Sequence, residues 1–211
     1  MADEKHQRLE ALRDQAAGCR ACPLWRNATQ TVFGEGPPEA DIVFVGEQPG
    51  DKEDVAGRPF IGPAGLMFDK ALAEAGVDRK RAYVTNAVKH FKFEPRGKLR
   101  LHKKPNAGEI NACKRWLLVE IDILQPRLLV ALGATAAQSL AGRAIPIGRN
   151  RGAVIKVANI PRVFITVHPS SLLRMPEAVD RHAAYASFVD DLRRVGALAA
   201  GLPRSGILAV A

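Results

Sequence analysis

Four short apolar runs punctuate the chain: Ile42-Val43-Phe44-Val45, Ala82-Tyr83-Val84, residues 128–132 and residues 163–167. Each is continuous rather than alternating, as strands are when both faces of their sheet are covered. The first strand is placed at about residues 41–46. Helical patterns lie between the runs. Residues 4–17 read as a leading helix ended by Gly18, and residues 63–75 as a helix stopped by Gly76. Asn106-x-x-Glu109 has the form of a capping box. It opens a helix whose apolar positions Ile110, Cys113, Leu117, Ile121 and Leu124 fall at steps of three and four, with Gln125-Pro126 at its end. A further helix is expected from Gly133 to Leu140, a strand within residues 152–157, and a last helix over about residues 181–195. The tail after Gly196, rich in Ala, Gly and Leu, reads as loosely held. Strands alternating with helices predict an α/β class, a three-layer α/β/α arrangement around a central, mainly parallel sheet.

Composition narrows the possibilities. The chain has 211 residues, 47% of them hydrophobic, which suits one domain with a sizeable core, expected over residues 1–195. No apolar run reaches the roughly 18–20 residues that span a bilayer. Met1 to His6 is charged and holds no apolar leader. A cytoplasmic protein without membrane association is expected, and a monomer. The net charge of +9 favours a polyanionic partner, though many basic soluble proteins share it. Cys19, Cys22 and Cys113 make no disulfide framework. The C-x2-C spacing of Cys19-Arg20-Ala21-Cys22 reads as a metal or redox pair.

Polar residues gather at strand ends. Gly46-Glu47-Gln48-Pro49-Gly50-Asp51 follows the first run, Thr85-Asn86-Ala87-Val88-Lys89-His90 follows the second, and His168-Pro169-Ser170-Ser171-Leu172-Leu173-Arg174 follows the last. Ligands of open α/β sheets bind at the carboxyl ends of strands. One such cluster is an ordinary turn, whereas three on separate strands point to one shared site.

These segments resemble the uracil-DNA glycosylase superfamily, in its iron–sulfur branch, over residues 19–192. The resemblance implies that fold and the excision of uracil from DNA, preferably single-stranded. It implies that Asn86 reads the uracil edge, since an amide offers both a donor and an acceptor. Phe60, in Gly57-Arg58-Pro59-Phe60-Ile61-Gly62, matches the aromatic that stacks on the base; as a residue it is equally a core aromatic. Gln48 and Asp51 would support the pocket and its waters. His168 would face the uracil oxygen that gains charge as the bond breaks. Ser170, Ser171 and Arg174 match the loop that enters DNA, with Leu172-Leu173 as apolar wedges. The resemblance also implies a [4Fe-4S] cluster held by Cys19, Cys22, His90 and Cys113. His90 stands where the branch has a cysteine, and imidazole can replace thiolate on iron. The ligand set alone also permits zinc.

From Lys89 to Lys104 there are seven Lys or Arg residues against the single Glu94. As composition, this reads as a solvated surface loop contacting phosphates, with Lys98 and Arg100 among the contacts. Lys98-Leu99-Arg100-Leu101-His102 is similar to the Lys-Arg-Arg-Ile-His insertion of the UdgX type, the self-trapping glycosylases. It departs at Leu99 and, conservatively, at Leu101. The resemblance implies that His102 attacks the sugar left by uracil and stays bonded to it, with Glu47 holding the imidazole or stabilising the cationic sugar. Three other readings remain: a turnover glycosylase with His102 on a phosphate, a non-catalytic iron–sulfur nucleic-acid-binding module, and a redox protein using Cys19 and Cys22.

Overall fold

A computed structural model describes residues 2–204. Its five-stranded sheet is built from β1 (Ile42–Gly46), β2 (Ala82–Asn86), β5 (Leu128–Leu132), β6 (Val154–Ile155) and β7 (Val163–Thr166), in the order β2-β1-β5-β7-β6. Pairing is parallel except at the edge, where β6 runs antiparallel to β7. The strand order reverses direction around β1, which lies between β2 and β5. The carboxyl ends flanking such a switch point form the crevice of an open α/β sheet.

Alternate side chains sort onto two faces. Val43 and Val45 of β1 join one core, packed by α1 (Ala2–Ala17), α4 (Ala107–Leu124) and α5 (Ala134–Ala141) through residues such as Leu12, Leu117 and Leu140. Ile42 and Phe44 join the other, packed by α3 (Pro63–Ala75) and α8 (Ala178–Gly201) through Phe68, Leu72, Phe188 and Leu192. The three-layer α/β/α architecture follows from this.

The helix signals act as expected. The capping box of α4 is reciprocal: Asn106 Oδ1 accepts the Glu109 N–H (2.9 Å) and Glu109 Oε2 accepts the Asn106 N–H (2.7 Å). Gln125 closes α4 with a left-handed φ of 48° before Pro126.

Four segments differ from the expectations. The loop after β1 contains a short helix, α2 (Asp51–Ala56). The basic stretch is no plain loop but a hairpin of β3 (Phe93–Arg96) and β4 (Leu99–His102). Its two-residue turn puts Gly97 at φ 58°, the first central position of a type II′ turn, where glycine meets no steric penalty. The strand expected within 152–157 shrinks to two residues. Finally, α8 continues to Gly201, past the expected end at 195, because Val195 and Ala199 are buried against the second core. Residues 205–211, the end of the expected tail, lie outside the described residues.

Candidate active site

The carboxyl ends of β1, β2, β5 and β7 open into a cavity of about 980 Å³. Glu47, Gln48, Asp51, Phe60, Asn86, His102, His168, Ser170, Ser171 and Arg174 all line it, so the three strand-end clusters do converge. Lys98 and the candidate metal ligands do not. The β1–β2 ladder runs on past the strands: Ala87 N–H donates to Gly46 O (2.9 Å) and Val88 N–H to Glu47 O (3.0 Å). Glu47 and Asn86 are thereby held side by side on rigid backbone.

Asn86 is 3% exposed, and its amide makes no hydrogen bond among the described residues. Buried amides are normally paired, whereas this one faces the cavity. It fits only because residue 46 is glycine. A Cβ there would lie 2.4 Å from Asn86 Oδ1 and 2.8 Å from Phe60 Cζ. Phe60 itself adopts φ 58°, a left-handed conformation that costs a bulky residue about 1–2 kcal/mol. Two contacts hold it there. Gly65 of α3 lets the Phe60 carbonyl approach where any Cβ would clash, and Glu53 Oε1 accepts the Gly62 N–H at 2.7 Å. The ring forms a cavity wall with its centroid 6.2 Å from that of His168.

His168 caps α7 (Pro169–Leu173). Its Nδ1 accepts the Ser170 N–H at 3.2 Å and lies 2.8 Å from Ser170 Oγ. Arg174 donates to that hydroxyl (3.2 Å), which leaves the hydroxyl proton for Nδ1. With donors facing Nδ1, the imidazole proton resides on Nε2. Burial pushes the pKa of His168 down to about 4, against the opposing attraction of Glu47. At neutral pH the ring is an uncharged donor. Leu172 is buried, so of the two expected wedges only Leu173, 41% exposed, is available at the surface.

Glu47 sits between two partners. Its Oε2 accepts a short hydrogen bond from Thr135, and its Oε1 lies 3.3 Å from His102 Nε2. Burial alone would raise the Glu47 pKa, but these hydrogen bonds and the neighbouring imidazoles outweigh it and hold the carboxylate ionised. Thr135 was not singled out from the sequence. It follows β5 by the motif Gly133-Ala134-Thr135, and the strand-end argument applied to residues 128–132 would have found it.

The hairpin is tied down at base and flank. Gln48 Nε2 donates to Lys92 O and Lys103 O (3.1 Å each), and its Oε1 accepts the Lys92 N–H (3.1 Å). The Gln48 amide therefore clamps the hairpin where it leaves the domain. Arg100 was expected on phosphate. Instead its guanidinium binds Asp51 Oδ1 (2.5 Å) and the buried Asp54 Oδ2 (2.6 Å), and packs over Phe91 and Phe93. Asp51 is thus a hairpin anchor. Lys98 is exposed in the turn, and Lys52 and Lys104 line the cavity with no carboxylate partner among the described residues. These cations, with Arg174, are placed to meet a polyanion.

The three cysteines are free and pack on the first core. They lie within electrostatic reach of one another: Cys22 feels Cys19, and Cys113 feels both. Trp116 Nε1–H donates to Cys19 Sγ and the Lys89 N–H to Cys113 Sγ, both at 3.2 Å. Burial raises Cys113 to about 11, so this thiol needs a cation to ionise it. Sulfurs supplied with N–H donors suit an iron–sulfur group. His90 is buried, which lowers its pKa, and the charge acting on it is that of Asp54. Among the described residues no three His, Cys, Asp or Glu side chains stand close enough to hold a metal as they are.

No helix among the described residues is long and apolar enough to cross a membrane. The family model described as the uracil DNA glycosylase superfamily matches residues 33–193. The Type-4 uracil-DNA glycosylase of Thermotoga maritima is 39% identical over 171 residues, covering 81% of this chain and 85% of its own. Those of Sulfurisphaera tokodaii and Pyrobaculum aerophilum are 34% and 36% identical, each covering 80% of this chain and 77% and 86% of their own.

Proposed function

Because this chain belongs to the uracil-DNA glycosylase superfamily, we propose that it excises uracil from DNA and then bonds covalently to the sugar through His102. The observation that carries the reading is the pairing of an unpartnered Asn86 amide with the Glu47–His102 contact across one cavity.

Asn86 reads the edge of a flipped uracil, and Phe60 stacks on its face, worth about 1–3 kcal/mol. As the C1′–N1 bond breaks, its electron pair leaves with uracil. The His168 Nε2–H donates to the oxygen that gains charge, and no proton is needed because the donor is neutral. The sugar becomes an oxocarbenium ion, stabilised by the Glu47 carboxylate. His102 donates its Nε2–H to Glu47 and so keeps its lone pair on Nδ1. That pair forms the new bond to C1′, and the resulting imidazolium is held by Glu47. The uracil anion takes its proton from water. Single-stranded DNA is the preferred substrate in this reading, since its base needs no unpairing. Lys52, Lys98, Lys104 and Arg174 hold phosphates, Ser170 and Ser171 border the nucleotide, and Leu173 fills the gap in the stack.

Cys19, Cys22 and Cys113, with His90 as fourth ligand, would hold a [4Fe-4S] cluster, which would supply a structural cross-link between α4 and the Cys19–Cys22 loop. No step of the reaction passes through it.

The test is a denaturing gel after incubation with a labelled single-stranded oligonucleotide carrying one uracil. A band at the summed mass, lost in His102→Ala and absent with thymine, is expected. Free abasic product without that band would leave a turnover glycosylase, with Glu47 holding water. An adduct that survives in His102→Ala would exclude His102 as nucleophile.

A further inference from the structure

Beneath the cavity floor lies an ion pair withdrawn from water. The side chains of Lys89 and Glu120 are 1% and 0% exposed, and they meet in a short contact. Lys89 Nζ also donates to Thr85 Oγ1 (2.6 Å) and to the main-chain oxygen of Asn86 (2.9 Å), which engages all three of its protons. Glu120 accepts from the Gly34 N–H (3.1 Å), Tyr83 OH (3.0 Å) and Thr85 Oγ1 (3.0 Å) as well. Burying two charges is unfavourable even when they are paired, and apolar residues of similar volume are often at least as stabilising. Stability of the fold is therefore a poor reason for this pair, and its position supplies a better one.

β2 is an edge strand. On its inner side it pairs with β1. On its outer side Val84 exchanges two 2.9 Å backbone bonds with Glu35. Asn86 points its carbonyl to the same outer side, two residues on, between this bridge and the next backbone bond from the same segment, Val32 N–H to Lys89 O (2.8 Å). The ammonium of Lys89 supplies the donor to the Asn86 carbonyl that lies between those two backbone contacts. We propose that Lys89, set by Glu120, is a positioning residue for Asn86: it fixes the main chain from which the base-reading amide projects, and so determines uracil affinity. The inference rests on the reading of Asn86 as the residue that binds the base.

The experiment compares wild type with Lys89→Met/Glu120→Gln, a neutral pair that keeps the acceptor for Tyr83 and Gly34. Three quantities are read: the thermal midpoint, affinity for an undamaged single-stranded oligonucleotide, and inhibition of excision by free uracil. The expected result is uracil affinity and single-turnover excision reduced about tenfold or more, with DNA affinity unchanged and the midpoint within a few degrees. In an Asn86→Ala background the same double substitution should cost no further uracil affinity, because the residue being positioned is gone. Unchanged uracil affinity, or a parallel loss of uracil affinity, DNA affinity and midpoint, or full additivity with Asn86→Ala, would each overturn the proposal. If the double variant does not fold, Thr85→Val removes only the hydroxyl bridging the two charges. Weaker uracil inhibition at constant DNA affinity then supports the role, and equal inhibition overturns it. A wild type that excises no uracil would sink the glycosylase reading itself, whereas an active wild type matched by an equally active double variant overturns only the role of Lys89.

Discussion

Acidification tests the His168 assignment most directly. A free imidazole titrates near 6.5, and burial moves that of His168 to about 4. Between these values the unfolded chain binds a proton that the folded chain refuses. Stability is therefore fully present above pH 6.5 and declines as pH falls towards 4. At about 1.36 kcal/mol per pH unit the whole span corresponds to about 3 kcal/mol, an upper figure because the ring keeps some contact with solvent. About 2 kcal/mol of this should be gone at pH 5. The assay is urea unfolding at pH 7.5 and pH 5 for wild type and His168→Gln. His90 is also held below its ordinary value by burial, but it is present in both proteins and cancels in the comparison. The wild type should lose about 2 kcal/mol more than the variant on acidification. Excision should meanwhile hold its rate down to about pH 5, since the donor is the neutral ring, and should fall steeply in His168→Gln at every pH. Superimposable stability curves, or a rate that drops with a midpoint near 6.5, would refute the reasoning.

Three further outcomes follow from the site. Gly46→Ala places a methyl 2.4 Å from Asn86 Oδ1; overpacking of this kind costs about 1–3 kcal/mol, and the displaced amide should lower excision on the order of 10²-fold, read by single-turnover kinetics beside a melting curve. Arg100→Leu removes the counter-charge of the buried Asp54 carboxylate and leaves it only its hydrogen bonds from Thr29, so a stability loss of about 1–3 kcal/mol is expected, with adduct yield on the gel falling more than uracil release. Cys113→Ser should purify with little iron and without broad visible absorption, measured by metal analysis and spectroscopy; full iron content would remove Cys113 from the ligand set.

The sequence disclosed what depends on local rules. Continuous apolar runs located β1, β5 and β7, and Asn106 with Glu109 marked the start of α4. Strand-end polarity brought Glu47, Asn86 and His168 to one cavity, because in a parallel sheet those ends share a side. What escaped notice depends on partners far apart in the chain. The basic stretch reads as loop because charge and Pro95 mask a strand pattern, and its stability comes from Asp51, Asp54 and Gln48, over forty positions away. Arg100 could not be told from a phosphate contact without seeing those carboxylates. The pairing of Lys89 with Glu120 left no mark in either residue's own neighbourhood. The helix α8 overran its expected end because burial of Ala199 outweighed the small residues around it.

The hairpin meets the rest of the domain at Lys92 and Lys103, neighbours across a single 2.9 Å backbone bond and both gripped by Gln48. The arm thus leaves and rejoins the domain at one point, beside the end of β1. Base release and, in the proposed reading, sugar capture therefore draw on separate parts of the molecule: the base pocket belongs to the strand ends, whereas the histidine is carried on an arm that joins them at one closed junction. The same junction is where an engineer would graft this arm onto another member of the superfamily, or cut it away.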